Sequence, residues 1–198
     1  EGASQNADNN IAIGYSALTG GTISGGDFID NIAIGREAMN STGTNAQTGT
    51  VAIGSFALTA LTSGQYNTAI GHNSMDEHLT GRANTCLGWG TMSQSGGDTT
   101  AQDNTFIGAS SGSGDWAGAG VDQNTAVGYS TMTGAMNGAN NNTALGAHGL
   151  EALTTGDGNV AVGAMAGDNV TDGDYNTLIG YQSGTEGQNL STGDSNTL

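Results

Sequence analysis

The sequence is poor in several residue types that other classes of protein need. It has no proline and no lysine, a single cysteine, and aromatic side chains at only 5% of its 198 positions. The lack of proline excludes a collagen triple helix. With so few aromatic side chains and with 36 glycines, a large globular core is poorly supplied, so a narrow and repetitive core is expected.

Positive charge is also scarce. Arg36 and Arg82 are the only basic residues, against 18 acidic ones, and the formal net charge is −16. Such a chain cannot neutralise a run of phosphates, so neither nucleic acid nor an anionic membrane is an expected partner. No apolar run is long enough for insertion into a membrane. The lone Cys86 excludes an intrachain disulfide and paired thiolate ligands for a metal.

What the sequence does contain is a short phrase repeated ten times, each copy ending in glycine, with successive glycines 17 to 21 residues apart. These repeat glycines are Gly14, Gly35, Gly54, Gly71, Gly88, Gly108, Gly128, Gly146, Gly163 and Gly180. Four positions earlier stands asparagine in nine copies, with Thr50 as the exception. The asparagines are Asn10, Asn31, Asn67, Asn84, Asn104, Asn124, Asn142, Asn159 and Asn176. We expect them to stack into a ladder of amides that hydrogen bond from coil to coil.

The three positions between asparagine and glycine predict a short strand. The first is always β-branched and the third is always aliphatic. The middle position is mostly alanine: Ala12, Ala33, Ala52, Ala69, Cys86, Phe106, Ala126, Ala144, Ala161 and Leu178. A second apolar column follows four residues after most repeat glycines, and a third precedes the next turn in several coils. This pattern predicts an all-β fold, a parallel β-solenoid (β-roll or β-helix) of about ten coils that forms one repeat domain over residues 1–198. At about 4.8 Å per coil, ten coils make a rod of roughly 50 Å.

The same strand predicts self-association, because it is apolar on both faces and a narrow solenoid has only one interior. If the β-branched and aliphatic columns face inward, the uncharged alanine column faces outward and becomes the candidate interface between chains. Alternatively, the alanines fill a tight interior and the other two columns form an outward stripe, which also needs cover. Identical rods packed side by side give a cyclic homo-oligomer, and we expect a homotrimer.

Two families contain similar phrases. Residues 67–71, Asn-Thr-Ala-Ile-Gly, resemble the head repeats of trimeric autotransporter adhesins (YadA-like heads), where Asn-Ser-Val-Ala-Ile-Gly recurs. Residues 124–130 and 176–183 are even more similar to repeat regions of phage structural and tail-fibre-like proteins. The resemblance implies a trimeric extracellular fibre, on a virion surface or a cell surface, that serves in attachment. Because residues 196–198 begin a further phrase, we expect the chain to be an excerpt of a longer fibre.

Three functions are therefore considered. The first is a non-enzymatic structural and attachment fibre, the shaft or head of a phage tail fibre or virion appendage engaged in host attachment. The second is the head of a bacterial trimeric surface adhesin. The third is a monomeric ligand-binding or ice-binding solenoid, because the β-branched column holds six threonines.

Catalysis and cofactors are not expected. The three histidines, His72, His78 and His148, share no ligand spacing with cysteines or paired carboxylates, and no nucleophile motif occurs. Calcium was weighed at the turn residues Asp157, Asp172 and Asp174, but the known calcium-loop patterns are missing. Cys86 occupies an alanine position and is expected to be a buried apolar residue.

A cell-surface receptor or glycan is the expected partner besides the chain itself. Insertions in a solenoid gather on one flank, and the extra residues fall at 20–30, 40–49, 93–103 and 113–123. The larger side chains expected on the outside are Tyr15, Trp89, Trp116, Tyr129 and Tyr181.

Overall fold

The computed structural model describes residues 7–20, 25–41, 45–93, 100–116, 120–185 and 191–198. These residues form an all-β parallel solenoid of about eight turns. Ten strands stack in one parallel sheet, and two further strands pair in a second sheet. In this described part of the chain, no helix is long and apolar enough to cross a lipid bilayer. The prediction of a parallel β-solenoid is confirmed.

The large sheet takes one three-residue strand from each copy of the repeated phrase, and the small sheet takes its strands from the first two insertions. In chain order the strands are β1 (Ile11–Ile13), β2 (Gly25–Ile29), β3 (Ile32–Ile34), β4 (Asn45–Thr48), β5 (Val51–Ile53), β6 (Thr68–Ile70), β7 (Thr85–Leu87), β8 (Thr105–Ile107), β9 (Thr125–Val127), β10 (Thr143–Leu145), β11 (Val160–Val162) and β12 (Thr177–Ile179).

Strand pairing follows the register of the repeat. Ala52 lies opposite Ala69, and Ala69 lies opposite Cys86, while the flanking columns pair in the same way. A slip of one residue would exchange the two faces of a strand, so each chemical column stays on one face along the whole sheet.

Each strand ends at a corner that requires glycine. At Gly71 the backbone φ is +142°, and an added Cβ would lie 2.1 Å from the carbonyl oxygen of Gly88 in the next coil. Neither that conformation nor that approach is open to a residue with a side chain. The repeat glycines therefore stack directly on one another and turn the chain at the same point in every coil.

The side that follows the corner is not a regular strand. Its second and fourth residues are left-handed, as at Asn73 (φ 55°) and Met75 (φ 53°). Hydrogen bonds between coils nevertheless continue, since the Asn73 amide donates to the Ser55 carbonyl at 3.0 Å and the Met75 amide donates to the Thr91 carbonyl at 2.9 Å. A left-handed conformation costs a residue with a side chain about 1–2 kcal/mol, and here the bonds to both neighbouring coils hold it in place.

The core runs along the solenoid axis. Within it, small side chains on one side of a coil lie opposite large side chains on the other side. Alanines of the strands pack beneath the second apolar column, whose members include the buried Met75, Met92 and Leu150. Where the second column has glycine, a large side chain takes the space. A Cβ on Gly112 would lie 2.8 Å from the Phe106 ring, and one on Gly167 would lie 2.7 Å from Leu178.

The insertions build outward from this core. Strands β2 and β4 pair in parallel, and Phe28 of β2 is buried. Trp116, which was expected on the outside, is fully buried, and its ring centroid lies 5.8 Å from that of Phe106. That expectation was wrong because Trp116 packs in the core beside Phe106 instead of extending into solvent.

Candidate functional site

The alanine column lies inside the chain's own solenoid. Ala12 in the first strand is exposed. The other nine members are fully buried: Ala33, Ala52, Ala69, Cys86, Phe106, Ala126, Ala144, Ala161 and Leu178. They cannot reach a partner chain, so their assignment as an interface between chains was wrong. The physical reason is space, because the interior between the strand and the second apolar column admits only small side chains unless a glycine compensates.

The outward face of the large sheet consists of the two columns that flank the alanines. One is the aliphatic column, in which Ile13, Leu145 and Ile179 are 58%, 49% and 62% exposed. The other is the β-branched column, in which Thr85 and Thr125 are exposed. Neither column contains a charged residue in any of the ten phrases. We call these two columns the outward face.

The asparagines form a continuous ladder along one edge of the sheet. Within it, Asn124 Oδ1 accepts hydrogen bonds from the backbone amide (2.9 Å) and the side-chain amide (3.1 Å) of Asn142. Asn124 Nδ2 donates to Asn104 Oδ1 at 3.2 Å and to the Ala139 carbonyl at 2.8 Å. Every donor and acceptor of that buried amide is thus used. The ladder runs through Asn67, Asn84, Asn104, Asn124, Asn142, Asn159, Asn176 and Asn196.

The ladder is interrupted once, where the repeat has threonine. The Thr50 amide still donates to Asn31 Oδ1 at 3.0 Å, but the buried Thr50 hydroxyl has no partner. Asn10 and Asn31 consequently form a separate pair, with Asn31 Nδ2 donating to Asn10 Oδ1 at 3.1 Å.

A second ladder, which sequence reasoning missed, stands two residues before the asparagines. The Asp157 amide donates to Asp174 Oδ1 at 2.7 Å, and the Asp174 amide donates to Asp194 Oδ1 at 2.9 Å. Asp172 accepts hydrogen bonds from the Thr154 and Thr155 hydroxyls, which lower its carboxyl pKa. The carboxylates weighed for calcium therefore bond neighbouring coils. The described residues contain no group of three or more His, Cys, Asp or Glu that could hold a metal ion.

Two titratable side chains are buried in the solenoid. Burial raises the pKa of the Cys86 thiol, whose sulfur lies 3.5 Å from the Met92 sulfur. Burial also lowers the pKa of His78 to about 4, with a smaller opposing effect from a hydrogen bond to the Gly81 backbone. His78 Nε2 lies 3.4 Å from the ladder amide of Asn84. At neutral pH both groups are uncharged, which is the state a core requires.

We expect His78 to make folding pH-dependent. Its pKa is about 4 in the folded chain and about 6.5 when unfolded, so the unfolded chain binds more protons between these values and stability falls as the pH falls. The free energy of unfolding should drop by about 2.5 kcal/mol more between pH 7.5 and 4.5 in the native chain than in a His78→Leu variant. Urea unfolding across that range measures the difference. An equal slope in native and His78→Leu chains would contradict the prediction.

A cleft lies on the side that follows the glycine corner and crosses four consecutive coils. It consists of two adjoining cavities of about 340 and 260 Å³ that share Asn73 in their walls. Phe56, His72 and Trp89 supply aromatic surface, and Asp76 is among the polar residues that line it. We call it the Asn73 cleft. Sequence reasoning missed it, although Trp89 was among the aromatic residues expected outside.

The insertions predicted to contact a receptor are only partly described. Residues 21–24, 42–44, 94–99 and 117–119, which fall in these insertions, lie outside the described residues. Three of the predicted outer aromatic residues, Tyr15, Tyr129 and Tyr181, are exposed at the position after a repeat glycine, as Trp89 is.

Comparisons with protein-family models, with curated proteins and with solved structures give no match to this chain. The class of protein is therefore defined by the fold alone: a parallel β-solenoid built from a glycine-terminated repeat.

Proposed function

We propose that this chain is a ten-coil segment of a non-enzymatic homotrimeric fibre that serves in attachment outside a cell, as the shaft or head of a phage tail fibre or similar virion appendage. The observation that carries the proposal is the outward face, a continuous uncharged surface of aliphatic and β-branched side chains on a rigid rod.

The distribution of charge marks the outward face as a surface to be covered. The chain has 18 acidic residues, yet none of the twenty positions of this face is charged. With ten strands at about 4.8 Å and three residues at about 3.3 Å each, the face measures roughly 45 by 10 Å, or about 450 Å². Fourteen of these positions are aliphatic and six are threonine. The largest apolar patch of a soluble protein is often a site of interaction, and this face is of comparable size.

Periodicity favours further copies of this chain as the occupant. The ridges of the outward face recur once per coil, so a partner must present matching grooves at the same spacing over the same length. A parallel copy of the chain meets that condition at every strand, and it also adds no charge to the interface. Closed cyclic packing then covers the face completely, which leaves the insertions and the Asn73 cleft free for attachment.

The mass of the native chain in solution and of a charged variant tests this assembly. We expect light scattering to give about three times the 19.5 kDa of one chain. Leu145→Glu, which places a charge on the outward face, should give single chains with an unchanged circular dichroism spectrum. Asn137→Glu adds the same charge at an exposed turn position and should leave the trimer intact. A native monomer, or a Leu145→Glu variant that still assembles, would refute the proposal.

Ice binding is a second candidate, because one observation favours it. Thr85 and Thr125 are exposed on the outward face, in register with each other and with Thr105 between them, beside the aliphatic column. A flat array of this kind is accessible only on a monomer. A native monomer that also depresses the freezing point without lowering the melting point would support ice binding over the fibre.

A further inference from the structure

We propose that the Asn73 cleft binds a neutral oligosaccharide. The cleft combines exposed aromatic rings, buried oxygen atoms that lack hydrogen-bond donors, and acidic side chains without an arginine or lysine. The inference deepens the proposed attachment role and rests on it only for its biological setting, because the cleft is complete within one chain.

The smaller cavity of the cleft lies at a coil that lacks a side chain. At the second position after the repeat glycine, nine coils carry a side chain, among them Asn73, Ser110 and Ser130, and the tenth carries Gly90. The φ angle of Gly90 is 58°, close to the 55° and 56° of Asn73 and Ser110. A Cβ on Gly90 would meet nothing within 4 Å. The backbone there is regular, so a side chain at this position would enter the open space of the smaller cavity.

Aromatic side chains provide surface for the apolar side of a sugar ring. Trp89 is 57% exposed beside Gly90, and the rings of Phe56 and His72 meet edge to face with centroids 5.9 Å apart. Pyranose rings present a face of C–H groups that packs on aromatic rings, and tryptophan offers the largest such surface. Trp89 therefore supplies a stacking platform over the open space at Gly90.

Two side chains in the cleft wall have oxygen atoms without a hydrogen-bond partner. The Oδ1 atoms of Asn73 and Asp76 are screened from solvent and have no hydrogen-bond partner. Leaving such an atom unsatisfied costs about 1–3 kcal/mol, so each one in a native structure needs an explanation. Sugar hydroxyls donate hydrogen bonds to amide and carboxylate oxygens, and the half-buried side chains of Asn73 and Asp76 present such groups in the wall of the cleft.

Charge restricts the class of sugar. Asp76 and Glu77 line the cleft, and no arginine is among its lining residues. Arg36 stacks its guanidinium on the Phe56 ring at 5.1 Å and pairs with Glu37 at 3.0 Å, so its charge is already matched. Carboxylates repel anionic ligands, which excludes sialylated and phosphorylated sugars and leaves neutral ones.

Fluorescence anisotropy with a panel of labelled neutral oligosaccharides, built of hexoses and N-acetylhexosamines, tests the inference. We expect saturable binding of at least one member, with at least tenfold weaker binding of its sialylated form. Trp89→Ala and Gly90→Ser should each weaken binding at least tenfold. Serine occupies the equivalent left-handed position at Ser110 and Ser130, so Gly90→Ser fills the cleft without disturbing the coil. Tyr181→Ala removes an exposed aromatic ring from the same repeat position outside the cleft and should leave binding unchanged.

No binding across the panel, equal binding by Gly90→Ser, or an equal loss in Tyr181→Ala would overturn the inference. Light scattering on the same samples separates this result from the fate of the fibre. A trimer that binds no sugar would contradict sugar binding in the cleft and support the fibre. A monomer that binds sugar would support sugar binding and contradict the fibre.

Discussion

Replacing Ala144 by glutamate is expected to unfold the chain. Ala144 is fully buried, and a Cβ added at Gly149 would already lie 3.3 Å from the Ala144 Cβ, so the interior has no room for a longer side chain. An unpaired charge buried there costs about 3–5 kcal/mol, and overpacking adds about 1–3 kcal/mol. The sum is comparable to the total stability of many domains. Thermal unfolding followed by circular dichroism measures the loss.

The neighbouring residue on the same strand provides the control. Thr143 lies on the outward face, so Thr143→Glu should leave the chain folded while it weakens assembly. If the alanine column faced a partner, as the sequence alone first indicated, Ala144→Glu would instead give folded single chains. A folded monomer in that variant would contradict the packing described above.

Replacing Asn124 by alanine is expected to lower the free energy of unfolding by about 4 kcal/mol, because a buried polar group left without its partner costs about 1–3 kcal/mol. The change removes the acceptor of the Asn142 backbone and side-chain amides, and the donor to the Ala139 carbonyl. No water can replace these bonds inside the stacked ladder. Chemical denaturation of the purified chain measures the loss.

Asn137→Ala is the matched control for the ladder. Asn137 is an exposed asparagine of the same region, and a surface substitution of this kind changes stability by less than about 0.5 kcal/mol. If the two variants lose equal stability, the ladder contributes nothing beyond an ordinary surface side chain. A loss below about 1 kcal/mol at Asn124 would also contradict its role, because that is the size of one ordinary net hydrogen bond.

Much of the fold could be predicted because equivalent residues of successive repeats stack in register. Stacking Thr68 on Thr85 and Ile70 on Leu87 requires only the spacing of the phrases, and the structure pairs them so. The backbone after the corner could not be predicted in the same way. Met75 and Leu58 are left-handed although nothing in a methionine or leucine favours that conformation. Only hydrogen bonds from both adjacent coils make it stable.

The main error of the sequence-based prediction was which face of the strand lies inside the solenoid. The sequence contained a signal for the correct orientation. Large residues in the alanine column accompany glycines in the second column, as Phe106 does with Gly112 and Leu178 with Gly167. Such compensation is expected only between side chains that share one interior. The pairing of Phe106 with Gly112 and of Leu178 with Gly167 is therefore the sequence signal that places both columns in one interior.

The sequence by itself determined the repeated strand, its register and the asparagine ladder. These features depend on local strand propensity and on the stacking of equivalent residues from successive coils. Only the tertiary structure decided that the alanines face inward, that the uncharged columns form the outward face, and that Trp89 and Gly90 line a cleft with Asn73. Those outcomes depend on how much space remains between the sides of a coil. That space is set by the packing of residues distant in the sequence.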